Sequence, residues 1–189
     1  GAAASTAGVT GSFTVLVVNE GDSDPGTRAY IDGGPETPST VRARGSVTIA
    51  ASDPVTMVLF AGGVGVGSTA GIGVASVVFV RTGVVDAYVA AGDTVWARGG
   101  TGLTVTASQS EDQWLVAVAG TVGGTAAVSG AVTIGVQNNT TTAHLDRGVT
   151  VDGVGSDGWP SAMLAASDHT TLRSVAGQLA VGGTAGVGA

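Results

Sequence analysis

The sequence contains no cysteine and no lysine, and only 4% of its 189 residues are aromatic. Without cysteine the chain forms neither disulfides nor thiolate metal sites. Its cysteine content therefore does not indicate whether it resides in an oxidising or a reducing compartment. Without lysine it cannot form the lysine–asparagine or lysine–aspartate isopeptide cross-links of some other proteins. What remains is a chain of small side chains, with 33 glycines and 43% hydrophobic residues. This is enough apolar material for one buried core.

Positive charge is scarce and scattered. The formal net charge is −7, and charged residues make up 11% of the chain. Nucleic acids and anionic membrane surfaces both require clustered basic residues, so neither is a predicted partner. Low charge with a mean hydropathy of +0.40 also argues against disorder. The seven basic residues are Arg28, Arg42, Arg44, Arg81, Arg98, Arg147 and Arg173.

The window from Pro54 to Val80 contains no charged residue and is long enough for a membrane-spanning helix. It also contains six glycines, and its two apolar ends, residues 55–60 and 74–80, are each only as long as a strand. No tryptophan or tyrosine belt and no cationic cluster frames it. The window therefore predicts strands and no membrane span.

The same window carries a G-x-G-x-x-A pattern at Gly65, Gly67 and Ala70, as in dinucleotide-binding loops. Such a loop requires a following helix, whereas the next segment, GIGVASVVFVRTG, is rich in valine and glycine, which are poor helix formers. Similar segments also recur along the chain, which indicates a structural period. They are residues 5–11, 64–73, 121–130 and 180–188.

Other segments recur in the same order, for example TRAYI, VDAYV and TTAHL, or VRARG, VWARG and, more loosely, VTVDG. We therefore divide the single domain, residues 1–189, into three units of about 5–67, 68–124 and 125–183, with 184–189 opening a fourth. The chain begins at Gly1 without an initiator methionine or a leader. We expect a processed protein or a piece of a longer array.

The texture of each unit is β. Runs such as SFTVLVV and AVTIGV carry β-branched residues, and no segment combines helical periodicity with caps. Three units are too few to close a propeller, so the repeats predict an all-β parallel β-helix, or β-solenoid, with little or no α-helix. Dividing each unit into coils of roughly 20 residues predicts about nine coils and a rod about 40–45 Å long.

The stretch GAVTIGVQNNTTTAHL, residues 130–145, resembles the repeats of large bacterial filamentous adhesins of the filamentous haemagglutinin and leukotoxin-associated type. The shared pattern is a TAGxG segment, an apolar strand, a polar turn and then A-Y/H-I/V/L and V-x-A-x-G. The resemblance implies a right-handed β-helix, export to the cell surface or exterior, and a role as a fibre shaft. It supplies no catalytic residues and no cofactor. The GGPETPST insertion departs from the pattern and predicts a local protrusion.

Strand alternation separates inward from outward positions in the recurring segments. Ala29, Ala87 and Ala143 are expected inside, together with the apolar residue two positions after each. The outward residues are the candidates for binding glycans or proteins, although singly exposed aromatic side chains are also ordinary surface features. These candidates are Tyr30, Arg42, Tyr88, Trp96 and His144. The open ends of a solenoid also predict end-to-end self-association.

Catalytic motifs are weak. His144 and His169 fall in different units, and neither lies in a pattern that would pair it with a nucleophile. The aspartates lie mostly in turns, where their local hydrogen bonds favour them. We therefore predict that the protein is not an enzyme. A β-helix carbohydrate-active enzyme, or a phage-fibre-like polysaccharide-binding protein, stays open as the alternative.

Two further alternatives concern calcium and ice. GDSDPG gathers Asp22 and Asp24, and GVGSDG, with Asp157, echoes calcium-binding β-roll repeats. Each copy stands alone, whereas β-rolls need tandem copies, so a turn without metal is favoured. Residues 140–142 are three threonines, as in ice-binding ladders, but the other units lack threonine there. No cofactor is predicted.

Overall fold

The computed structural model describes residues 2–4, 6–20, 26–34, 36–153 and 161–189. In this part of the chain the regular elements are all strands, which confirms the predicted all-β class. A helix able to cross a membrane is accordingly missing from these residues. The strands are β1 (Ala2–Ala4), β2 (Ala7–Asn19), β3 (Thr27–Ile31), β4 (Thr40–Ala43), β5 (Val47–Gly67), β6 (Ala70–Val89), β7 (Thr94–Ala97), β8 (Leu103–Gly123), β9 (Ala126–Leu145), β10 (Thr150–Gly153), β11 (Ala162–Gly182) and β12 (Ala185–Gly188).

The strands form three parallel sheets. The front sheet has the order β1-β5-β8-β11, the back sheet β12-β9-β6-β2 with β3 also paired to β6, and the short end sheet β10-β7-β4. Each circuit of the chain passes through back, end and front sheets and then returns to the back sheet one layer further on. The molecule is therefore a parallel β-solenoid, as predicted. Its handedness stays a prediction.

Each coil is much larger than predicted. Ile49 in β5 pairs with Val105 in β8, which pairs with Leu164 in β11, so successive front strands are 56 and 59 residues apart. One repeat unit thus makes one coil, and the prediction of nine coils of about 20 residues is wrong. The described units form three coils, about 14 Å along the axis at roughly 4.8 Å per layer.

The reason is that the strands run through residues that indicate turns. β5 contains Pro54 and the glycines Gly62, Gly63 and Gly65, yet it pairs with β8 over all 21 of its residues. Glycine and proline are usual strand breakers, so the sequence favours short strands. Parallel neighbours override that preference here, because they satisfy the backbone of the whole segment. Strands of 20 or 21 residues have a contour length of about 65 Å.

The recurring segments mostly pair as aligned in sequence. Ala29 pairs with Ala87 and Ala87 with Ala143, and their neighbours two positions on pack in the same core. One alignment shifts by two residues, because Val95 pairs with Val151 and not with Val149. At the corner into the end sheet, Gly92 and Gly148 both have a φ of 80°, a left-handed conformation that favours glycine.

The interior between the front and back sheets changes along the coil. Beside the end sheet lies a cluster of larger apolar side chains, including Ile49, Val85 and Leu103. A second apolar cluster around Phe79 and Leu115 lies further along the strands. Buried polar residues lie between the two clusters along the strands. The last stretch before the β5–β6 and β8–β9 turns is lined by small residues, which are mainly glycine in β5 and β6 and alanine, threonine and glycine in β8.

The stretch of small residues next to these turns brings the two sheets into backbone contact. A Cβ at Gly67, Gly123 or Gly182 would lie 1.9, 1.9 and 1.8 Å from the carbonyl oxygens of Ala70, Ala126 and Ala185. Only glycine leaves enough space there, since no side-chain carbon approaches a backbone oxygen so closely. The coil is therefore a wedge, wide at the end sheet and narrow at the two-residue turns. Gly65 and Gly67 of the G-x-G-x-x-A pattern lie in this narrow part, and the segment after them is a strand.

Candidate functional site

Three of the predicted outward residues form a stacked ladder on the back sheet. Tyr30, Tyr88 and His144 occupy matching positions in successive coils. The ring centroids are 5.3 Å apart for Tyr30 and Tyr88 and 5.2 Å apart for Tyr88 and His144, with interplanar angles of 13° and 12°. We call this set the aromatic ladder. It exists because parallel in-register pairing places equivalent side chains one layer apart.

Polar groups border the His144 end of the aromatic ladder. The Nδ1 atom of His144 lies 3.3 Å from an Asp86 carboxylate oxygen, and its Nε2 atom lies 3.3 Å from Asp146. The Thr142 hydroxyl donates a hydrogen bond of 2.5 Å to Asp86. The ladder therefore presents ring edges together with carboxylates, a combination able to hydrogen-bond a polar ligand.

The Tyr88 hydroxyl has a perturbed pKa. Burial raises its pKa above the ordinary value of 10.0, and the nearby Asp32 carboxylate raises it further. The folded state thus holds this proton more tightly than the unfolded chain does. The resulting stabilisation is present below pH 10 and is lost as the pH rises through the folded-state pKa.

Stacking limits what the ladder can bind. Both faces of the Tyr88 ring are covered, one by Tyr30 and the other by His144. Only the free faces at the two ends of the ladder can stack on a sugar ring, whereas every ring contributes an edge. Tyr30, which is 57% exposed, is the most accessible aromatic side chain of the set.

The other two predicted residues, Arg42 and Trp96, meet on the end sheet. Arg42 pairs in register with Trp96 and places its guanidinium carbon 4.3 Å from the ring centroid. Arg98 approaches the same ring at 4.8 Å, and its Nη2 atom lies 3.4 Å from Asp152. Here too the faces of the aromatic ring are covered by neighbouring side chains. These cation–π contacts give Arg42 and Trp96 a structural role on the surface of the end sheet.

The structure therefore groups the five candidates into two sets. Tyr30, Tyr88 and His144 make up the aromatic ladder, whereas Arg42 and Trp96 lie on the end sheet, beyond the corner that follows β6. Trp114, an exposed aromatic residue on the front sheet, also makes a cation–π contact, since the Arg173 guanidinium carbon lies 5.1 Å from its ring centroid.

A buried charged cluster inside the wedge has no counterpart in the sequence predictions. The Arg81 side chain is 2% exposed, and its Nη2 atom lies 2.5 Å from Asp53 and 3.8 Å from Glu20. Its Nε atom lies 2.8 Å from the fully buried Glu111 carboxylate, an ion pair rather than an aligned hydrogen bond. Arg81 and Glu111 lie at inward positions of β6 and β8, in which inward and outward residues alternate strictly. This two-residue period is the signal by which the sequence could have revealed them.

Glutamines complete this cluster. The side-chain amides of Gln109, Gln113 and Gln137 each donate a hydrogen bond to Glu111, at 2.8, 2.9 and 2.8 Å. Thr141 in turn donates to Gln109 at 3.2 Å. The cluster thus links β5, β6, β8 and β9, that is, both long sheets and all three coils. We call it the core network.

The loop carrying the GGPETPST insertion is held by a buried carboxylate that the sequence analysis also missed. Asp93 is fully buried and accepts hydrogen bonds from the backbone amides of Gly33 and Ser39, at 3.2 and 2.5 Å. Asp93 belongs to the next coil, so the insertion is fastened across a coil boundary.

The remaining candidates are dispersed or fall outside the described residues. His144 lies on the back sheet and His169 on the front sheet. Thr140 and Thr142 face outward, but Thr141 points into the core network, so the three threonines share no flat face. Asp22, Asp24 and Asp157, the calcium candidates, lie outside the described residues. Within the described ranges, no group of three histidine, aspartate or glutamate side chains is arranged to hold a metal ion.

Comparisons with protein-family models, with curated proteins and with solved structures found no match.

Proposed function

We propose that this chain is a structural and adhesive segment, a shaft, of a bacterial filamentous adhesin that is exposed at the cell surface or secreted. The observation that carries the proposal is that one unit makes one coil and that each coil offers the next the same parallel strand edges. Although the units differ in length, β5, β8 and β11 stay paired over all 21 residues. Adding units would lengthen such a molecule without changing its cross-section.

Hydrogen bonding between coils continues even through the narrow turns. The backbone amides of Thr125 and Ala126 donate to the Thr69 carbonyl at 2.9 and 3.0 Å, and Thr184 and Ala185 repeat this with Thr125. Continuous main-chain bonding gives a shaft its mechanical resistance. The outward positions are free to vary, as Tyr, Tyr and His do in the aromatic ladder, so attachment to surface glycans or proteins is assigned to them.

An array of known unit number tests the shaft. Residues 68–183, two units, are repeated six or twelve times and imaged by electron microscopy. We expect particles about 58 Å and about 115 Å long, respectively, because each unit adds roughly 4.8 Å. A length that does not double with the number of units would contradict a stacked shaft.

A glycan-binding screen tests the adhesive part. We expect Tyr30→Ala with Tyr88→Ala to abolish any binding, and Trp114→Ala, which removes an exposed aromatic from the other long sheet, to retain it. Equal loss in both variants, or no binding by the unaltered chain, would leave the aromatic ladder a structural feature of a passive shaft.

A further inference from the structure

The outer surface of the back sheet is apolar over most of its length. On β2, β6 and β9 this surface begins at Ala7, Ala70 and Ala126. It extends to Asn19, Val84 and Thr140, just before the aromatic ladder, and none of its outward positions carries a charge. Ten large apolar side chains there, together with Val187 on the adjacent β12, are between 40% and 71% exposed. We call them the back-face patch: Val9, Phe13, Val15, Val17, Ile72, Val74, Val128, Val132, Ile134, Val136 and Val187.

The patch is larger than a solvated surface normally carries. Its exposed apolar area is on the order of 900 Å², whereas the largest patch on a typical monomer is about 300–600 Å². Stable protein interfaces bury about 800 Å² on each partner. The patch alone therefore supplies the area that one side of a stable interface needs.

We propose that the back-face patch is the interface with a second copy of this chain, the two back sheets packing face to face. The proposal rests on the fold and does not depend on the adhesin function.

A second copy fits for two reasons. The outward side chains repeat about every 6.6 Å along a strand and about every 4.8 Å between coils. Another copy presents the same two spacings, so rows of valine can interdigitate along the whole sheet at the usual distance of about 10 Å between packed sheets. In addition, a chain with a net charge of −7 repels its copies, and this uncharged face minimises that repulsion on contact.

The front sheet is less suited to the same contact. It carries outward apolar side chains of similar number and exposure, but these border the exposed Asp112–Arg173 ion pair. Gly62, Gly120 and Gly177 also leave a groove of about 690 Å³ between Phe60, Val118 and Leu179.

Sedimentation equilibrium of the 189-residue chain tests the proposal. We expect a dimer of twice the 18.1 kDa chain mass. Ile134→Lys places a charge halfway along the patch and is expected to weaken dimerisation at least about tenfold, because the charge would be buried without a partner. Ile134 is 47% exposed in the single chain, so the fold should tolerate lysine. Val15→Lys, at a position 66% exposed, is a second variant in case the first misfolds.

Thr106→Lys on the outward side of the front sheet is the matched control, and we expect it to dimerise like the unaltered chain. Three results would overturn the proposal. One is a monomer at every concentration; a monomer that co-floats with phosphatidylcholine vesicles would instead make a lipid surface the occupant of the patch. Another is association that Ile134→Lys leaves unaffected: a dimer would place the contact on another face, and an open-ended series of masses would indicate pairing through the free edge of β11. The third is equal weakening by Thr106→Lys.

Discussion

The wide and narrow halves of each coil place their side chains in opposite ways. In the wide half, beside the end sheet, valine, isoleucine and leucine lie inside, and the outward side of the front sheet carries threonine and serine. In the narrow half, beyond the cluster around Phe79 and Leu115, glycine and other small residues lie inside while valine, phenylalanine and isoleucine lie outside. The difference shows that the distance between the sheets, and not hydrophobicity alone, decides which residues are buried. Where backbones touch, no apolar side chain fits between them.

The core network lies between the two apolar clusters, and its removal should have the largest effect. Arg81→Met leaves the buried Glu111 and the partly buried Asp53 without their cation, so we expect a loss of about 3–5 kcal/mol in the free energy of unfolding. Chemical denaturation measures it. Arg173→Met, which breaks an ion pair whose side chains are 45% and 51% exposed, should cost less than about 1 kcal/mol. Similar costs for both variants would mean that burial does not set the strength of the network.

A methyl group inside the narrow half tests the backbone contact. Gly123→Ala puts a Cβ 1.9 Å from the Ala126 carbonyl oxygen, so the turn must move apart. We expect a loss of about 3 kcal/mol, measured by thermal and chemical unfolding. The control is Gly45→Ala, because a Cβ there meets nothing within 4 Å. If both substitutions are tolerated alike, close sheet contact is not what requires glycine in the narrow half.

One substitution made in both halves compares them directly. Val85→Thr buries a hydroxyl in the wide-half core, where Val85 is fully buried, and should cost about 1–3 kcal/mol. Val122→Thr, in the narrow half, changes an outward side chain that is 45% exposed, and its effect should stay within about 0.5 kcal/mol. Differential scanning calorimetry resolves the pair. Equal losses would remove the distinction between the halves.

The sequence predicted much of the candidate site because its signals are local. Alternation with a period of two placed Tyr30, Tyr88 and His144 outward, and the matching TRAYI, VDAYV and TTAHL segments placed them in one column. It could not show that the rings cover one another, since that depends on in-register stacking. Nor did it indicate the core network, because Arg81, Glu111 and Gln137 meet only once β6, β8 and β9 are folded together.

The sequence by itself determined the β class and the parallel stacking of repeats. These follow from β-branched alternation and from the recurrence of whole segments. Only the tertiary structure decided the size of the coil. Pro54 and the glycines of β5 read as corners in isolation, whereas pairing with β8 keeps the backbone extended through them. Tertiary structure also decided which halves are wide and narrow, because the spacing between sheets is set by side chains that are distant in sequence.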